Sequence, residues 1–253
     1  MIKEQWLACR TALQLLSWIP VGKMPFPDPK IQGMAVAWYP LIGGILGVFL
    51  ALAASIINAV LNDWISAALV LTLWVWLTGA LHIDGLADAA DAWLGGLGSK
   101  SRTLKLMKDP TSGPIAIATV VLILFIKLAC LQALFSAEHV AALIWSLIFA
   151  RANAVLLIIH TPYVRESGLG SALRERLSAK TCYSVIALLA LLSLFALGWL
   201  SLLILATSLV GLVSLRYVML SRLNGFTGDT LGALIELSET LILLGLVAVI
   251  GSV

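Results

Sequence analysis

The sequence predicts an all-α fold, a polytopic transmembrane helical bundle of about seven spans with an amphipathic helix at its N-terminus. Three observations predict it. Of the 253 residues, 61% are hydrophobic and only 11% charged, with a mean hydropathy of +1.04. A soluble domain carries about 25% charged residues, and no soluble core of this length could hide so much apolar surface. The apolar residues also fall into runs of about 20, the length a helix needs to cross a bilayer. Finally, almost every Lys and Arg falls on one side of those runs. No composition shift, repeat or low-complexity block divides residues 1–253, so a single integral membrane domain is expected.

At the N-terminus, Trp6, Leu7, Leu13, Leu16 and Ile19 recur at helical spacing. Acidic Glu4 and the lack of a small-residue cleavage site argue against a signal peptide, and the stripe fits an interfacial amphipathic helix or a core-facing one. The spans are expected at 39–61, 64–83, 114–135, 139–160, 182–198, 199–216 and 231–252. The stretch 182–216 is almost continuously apolar, and only Gly198 and Trp199 punctuate it. It is too long for one crossing and reads as a tight helical hairpin. Cys9, Cys130 and Cys182 stand far apart with no CxxC pair, so neither a zinc site nor a disulfide framework is signalled.

With these spans, one side holds Lys3, Arg10, Lys23, Lys30, Lys100, Arg102, Lys105, Lys108, Arg165, Arg174, Arg176, Lys180 and Arg222, with Arg216 at the boundary. The other side holds none. The positive-inside rule then puts the N-terminus in the cytoplasm and the C-terminus outside. Lys127 and Arg151 lie within spans. Each costs roughly 2.5–3.5 kcal/mol to insert and must face a protein interior or a wet cavity. Asn153, two positions after Arg151, needs the same shelter.

The most informative stretch is His82-Ile83-Asp84-Gly85-Leu86-Ala87-Asp88-Ala89-Ala90-Asp91. On a helix its three aspartates fall at about 0°, 40° and 340°, one face over two turns. At an effective dielectric of about 20 and a spacing near 6 Å, each pair repels by roughly 3 kcal/mol. No Lys or Arg stands between them, and the intervening residues are small and apolar. Such a face calls for a cation, and oxygen-only ligation points to Mg²⁺, with Mn²⁺ as the alternative. A second acidic group, Asp229 followed by Glu236 and Glu239, opens the last span on the same side. Asp229 and Glu236 share a face if the helix begins near Asp229; an N-cap with Thr230 assisting is the other reading.

These residues carry a resemblance. The segment T-G-A-L-H-I-D-G-L-A-D-A-A-D at 78–91 resembles the signature of the cobalamin synthase family, the adenosylcobinamide-GDP ribazoletransferases or cobalamin-5′-phosphate synthases. Y-P-L-I-G-G-I-L-G at 39–47, M-K-D-P at 107–110, Ser167-Gly168-Leu169-Gly170 and T-G-D-T-L-G-A-L-I-E-L-S-E at 227–239 agree with it. The resemblance runs from about residue 10 to the end. One region departs from the family's pattern: Pro110-Thr111-Ser112-Gly113-Pro114 stands where a Ser and a Gly-x-x-Gly-like turn are expected.

The resemblance implies a Mg²⁺-dependent membrane transferase acting at the end of cobalamin nucleotide-loop assembly. It would join α-ribazole, or its 5′-phosphate, to the phosphate of adenosylcobinamide-GDP and release GMP. Asp84, Asp88 and Asp91 are then the main metal face, closed by Asp229 or Glu236. Asp91 is the general base and His82 orients a carboxylate or donates to phosphate. Arg151 and Asn153 reach the substrate phosphate or a metal-bound carboxylate. Lys105, Lys108, Arg174 and Arg176 contact diphosphate or guanosine, or else form a solvated positive-inside loop, and Asp109 is a further substrate-binding residue. No nucleic acid is expected as a partner, and self-association is left open. Two rival classes share parts of this pattern. A CDP-alcohol phosphotransferase has similar acid spacing, though the arginine expected after D-G is replaced by Asp88. A transporter would set its acids at mid-membrane on repeated halves, and the chain has no internal repeat.

Overall fold

A computed structural model describes residues 2–22, 28–165, 173 and 177–250. Among these the regular elements are all helical. They run α1 (Ile2–Leu16), α2 (Pro29–Ala35) with a 3₁₀ turn at Val36–Trp38, α3 (Tyr39–Asn58), α4 (Asp63–Leu77), α5 (Leu81–Gly95) and α6 (Lys100–Leu106). There follow α7 (Pro114–Ser136), α8 (Ala142–His160), α9 (Ala179–Leu197), α10 (Leu200–Leu223) and α11 (Gly228–Ile250). Six helical segments are long and apolar enough to cross a membrane, and the bent pair α4–α5 makes a seventh. The expected multi-pass helical bundle is therefore present.

Local chemistry sets the boundaries. Asn62 caps α4 by accepting from the Ile65 amide at 3.0 Å. Ser99 caps α6 and Ser178 caps α9 in the same way. Gly198, with φ +55°, turns α9 into α10, so 182–216 is a hairpin as expected. Asn224, with φ +57°, ends α10 seven residues later than the sequence suggests.

The span expected at 64–83 is overturned in its second half. α4 stops at Leu77 and the chain turns by 86° before α5 begins at Leu81. The turn is a Schellman motif. The Gly79 amide donates to Trp76 O at 3.0 Å and the Ala80 amide to Val75 O at 3.0 Å, with Gly79 left-handed at φ +61°. Hydropathy cannot show this break, since Thr78, Gly79 and Ala80 are all tolerated in apolar helices. Trp18, at the end of the N-terminal segment, seals the outside of the bend against Trp76, rings edge to face at 5.6 Å, and its amide donates to Leu77 O. We read α4 as the crossing limb and α5, with its three aspartates, as lying across the end of the bundle.

α8 and α11 form the centre. Fourteen of the 19 residues of α8 are buried. The motif at 39–47 explains its closest neighbour: a Cβ on Gly43 would lie 2.5 Å from Leu147 O, and one on Gly47 2.6 Å from the Ile144 Cα. Small residues let the two backbones touch, the usual device where lipid removes the hydrophobic drive between helices. α9 is peripheral, with only Cys182, Leu189 and Ser193 buried. α1 packs through Ala8, Thr11, Ala12 and Leu16 and leaves Trp6 63% exposed, an amphipathic helix with its tryptophan turned outward.

Candidate active site

The site is built where α5 crosses the start of α11. A Cβ on Gly85 would lie 2.8 Å from Asp229 O, and one on Gly232 3.3 Å from the His82 backbone. Glycine at 85 therefore lets the aspartate helix lie directly on the first turn of α11. That turn is fixed by Thr227 rather than by Asp229. The Thr230 amide donates to Thr227 Oγ1 at 3.2 Å, and the Thr227 amide donates to Thr230 Oγ1 at 2.8 Å. Thr227 is thus the cap, and Asp229 is released from the capping role considered for it.

Asp84 is exposed and Asp88 half-buried on the outer face of α5, with Asp229 half-buried beside them. Burial first, then the charges of Asp84 and Asp229, push the Asp88 carboxyl up to about 6, against the opposing pull of Arg165. Repulsion read from spacing within one helix thus extends to a carboxylate from a second helix. Among the described residues the cation bonded to this face is Arg165, whose Nη2 donates to Asp229 Oδ2 at 2.5 Å. The sequence marked Arg165 for its charge alone; what places it is a short bridge. The Val164 amide donates to Phe226 O at 3.0 Å, and the Phe226 amide to Pro162 O at 2.9 Å. Gly225 makes room for that bridge, because a Cβ there would collide with Pro162 O. The stacking of Arg222 on Trp93, at 5.2 Å from the ring centroid, is a second pairing with no signal in the sequence.

Asp91 is placed differently. Its two oxygens accept from the Gly113 and Ala116 amides at the start of α7, the latter at 2.9 Å. Gly113 has no capping side chain, so a carboxylate from α5 neutralises the positive end of α7. The Gly113 amide of the Pro110–Pro114 turn is thus bound by Asp91. Each oxygen thus accepts one backbone N–H, so Asp91, expected as general base and metal ligand, serves here as the cap of α7.

Glu236 is also elsewhere. It pairs with Lys127, which also binds Glu239, while Arg151 pairs with Glu239. All four are buried, two cations and two anions, with Lys127 4.6 Å from the Trp74 ring centroid. The structure turns Arg151 inward to Glu239 and Glu236 inward to Lys127, not to the aspartate face. Asn153 donates to Ser208 O and Ser238 Oγ, both at 3.0 Å, so it ties α8 to α10 and α11 rather than reaching a phosphate. A buried charge set is tolerated only when complete, which is why the span carries residues that hydropathy alone would refuse.

His82 is buried at 5% exposure, with Nδ1 unpartnered. Lys105 and Lys108 are exposed, and Asp109 accepts from the Thr111 amide and hydroxyl in a local turn. Asp109 and Asp91 line one cavity of about 390 Å³. Arg174, Arg176 and Ser167–Gly170 lie outside the described residues.

The donor set at Asp84, Asp88 and Asp229 is all oxygen and meets water on its outer side, which suits a hard divalent ion. Among the described residues no three acidic, His or Cys side chains converge closely enough to make a cage. Mg²⁺ does not ask for one: it binds through one or two carboxylates and completes its shell with water and phosphate oxygens. The residues present fit an ion held jointly with a phosphorylated substrate.

Known proteins share this sequence over most of its length. The family model described as Cobalamin-5-phosphate synthase matches residues 8–247. A relative from Stutzerimonas stutzeri (strain A1501), named adenosylcobinamide-GDP ribazoletransferase, is 45% identical over 240 residues, 95% of this chain and 97% of its own. Relatives with the same name from Pseudomonas putida (strain W619) and Acinetobacter baumannii (strain ATCC 17978) are 46% and 42% identical, covering 93% and 92% of this chain and 96% and 93% of theirs. No solved structure matches.

Proposed function

The chain belongs to the cobalamin-5-phosphate synthase family, and from that premise we propose that it transfers the cobinamide phosphate of adenosylcobinamide-GDP to a hydroxyl of α-ribazole or its 5′-phosphate, releasing GMP. The observation that carries the reading is the two-helix acid face, in which Asp84 and Asp88 of α5 meet Asp229 of α11 beside Arg165. Phosphoryl transfer asks the protein for alignment and charge neutralisation more than for covalent help, and this face offers both.

Asp84 and Asp229 would hold Mg²⁺, with Mn²⁺ as a substitute; when bound, the ion neutralises diphosphate oxygens and eases departure of GMP. Arg165 holds Asp229 in place and turns its remaining N–H groups to phosphate. The acceptor hydroxyl forms a new O–P bond at the cobinamide phosphate, the P–O bond to GMP breaks, and the hydroxyl proton passes to the Asp88 carboxylate. Burial, the largest cause, raises that carboxyl above the ordinary carboxylate range, which makes it the better base for the proton. The face is cytoplasmic in an inner membrane, a placement supported by the one-sided distribution of Lys and Arg.

The test is purified protein in detergent with adenosylcobinamide-GDP, α-ribazole and Mg²⁺. GMP should appear with the joined corrinoid in equal amount, and Asp84→Asn should abolish both. Competition by GMP but not CMP separates this reading from a CDP-alcohol phosphotransferase. Absence of GMP release by the wild type would overturn it.

A further inference from the structure

The face of α5 turned away from the aspartates takes no part in the chemistry above. Leu86, Ala89, Ala90 and Trp93 lie about 140–240° round the helix from Asp84. They roof an apolar pocket of about 300 Å³. Its walls are α10, through Leu215, Val218 and Met219, and the start of α11, through Ala233 and Leu237. Alanine at 89, 90 and 233 leaves the room. Thr230 is the polar exception, and its hydroxyl donates to Thr227 O at 3.2 Å. At the mouth Val218 is 40% exposed, next to Tyr217 at 72%, so the pocket opens from the lipid side of a spanning helix.

α10 also sets an order along the membrane normal. Leu215, Val218, Met219 and Arg222 fall within about 100° of one another, one stripe that climbs to the last turn. Arg222 ends the stripe. It stacks on Trp93, whose ring lines the pocket. Its side chain is half-buried, and among the described residues no carboxylate pairs with it. A partly desolvated guanidinium calls for an anion, and phosphate matches its fork of N–H groups. The cation stands at the end of α10 where the chain's Lys and Arg gather, and the apolar part lies deeper. Anion outward and hydrocarbon inward is the order of a phospholipid in that leaflet. The aromatic rings of Trp93 and Tyr217 stand between the two, at the depth such rings favour.

We propose that this pocket binds one membrane phospholipid, with an acyl chain beneath α5 and its phosphate on Arg222. The match is to an amphiphile. A wholly apolar molecule would leave Arg222 without its anion, and a polar one would leave its own groups unpaired against Leu, Val, Met and Ala. The transferase's substrates meet the opposite face of α5, so the lipid does not compete with them. Its chain fills the space under Ala89 and Ala90 and so props the helix that carries the aspartates.

The test is native mass spectrometry of the full chain in mild detergent, delipidated and then given dioleoylphosphatidylglycerol. Wild type should retain one lipid when the detergent is stripped. Ala90→Leu fills the pocket from its half-exposed side, and Arg222→Gln removes the cation. Each should weaken retention about tenfold, while Arg222→Lys, which keeps the charge, should retain the lipid. Val210→Phe changes an exposed α10 position outside the pocket and should retain it too. Circular dichroism confirms that each variant is folded. In thermal melts the phospholipid should raise the wild-type melting point, and neither dioleoylglycerol nor inorganic phosphate should match it. Equal retention by wild type, Ala90→Leu and Arg222→Gln would mean a lipid held anywhere on the bundle, and would refute the site. A rise with inorganic phosphate equal to that with the lipid would leave a free-anion site only, and would refute it as well.

Discussion

At the scale of the residue, the three aspartates of one helical face separate into two roles. Asp84 faces water and is free to hold an ion, so Asp84→Asn should lose turnover while the protein stays folded. Thermal melts with and without Mg²⁺ check the cause. Wild type should gain stability from the ion, since a ligand of the folded state alone raises the melting point, and Asp84→Asn should lose most of that gain. Asp91 caps α7 instead, so Asp91→Ala should cost about 1 kcal/mol of stability, within the range for lost caps, and should keep the Mg²⁺ shift. Asp88 adds a pH signature. Its folded-state value of about 6 lies above the ordinary 3.8. The folded chain therefore binds more protons than the unfolded chain between those values, and stability falls as pH rises through that window. In Mg²⁺-free detergent the melting point should decline from about pH 4 to pH 6, and the decline should flatten in Asp88→Asn. The 4- and 7-residue spacing made the shared face legible in the sequence. The split in role was not, because the amides that claim Asp91 belong to Gly113 and Ala116, more than 20 residues away.

At the scale of the element, the site depends on how α5 lies on α11. Gly85→Val places a branched side chain against the Asp229 backbone, where even a Cβ sits at 2.8 Å. The two helices must part, and activity should be lost with little change in the apolar bundle behind them; helical content by circular dichroism should stay level while GMP release vanishes. The buried charge set behaves otherwise. Lys127→Met leaves Glu236 without its cation and Glu239 with only Arg151, and breaking such a set costs about 3–5 kcal/mol. Lys127→Met with Glu236→Gln should recover part of that loss, as denaturation of the purified variants would show. Span positions followed from hydropathy, because lipid length and composition dictate them. The 86° turn at 78–80 did not, because it rests on two left-handed residues and a pattern of backbone bonds, which hydropathy does not record. The inward pairings of Arg151 with Glu239 and of Glu236 with Lys127 escaped for a related reason: helix rotation decides which way an intramembrane charge points, and uniformly apolar neighbours do not fix that rotation.

At the scale of the whole molecule, the basic residues and the helix count agree. Reporter fusions should place the 84–113 and 161–181 segments in the cytoplasm and the C-terminus on the far side; a cytoplasmic C-terminus would mean that α9 and α10 do not form separate crossings. The bundle then presents its acid face at one end. The buried charges have a further consequence, in the order in which the chain is made. Lys127 and Glu236 are 109 positions apart. At a synthesis rate of roughly 5–20 residues per second, the cation waits on the order of 5 to 20 seconds for its anion. During that interval α7 and α8 sit in or beside the translocation machinery with unmatched positive charges. The final helix works as a closing key, and nascent chains that stop before it carry an exposed mark for membrane proteases.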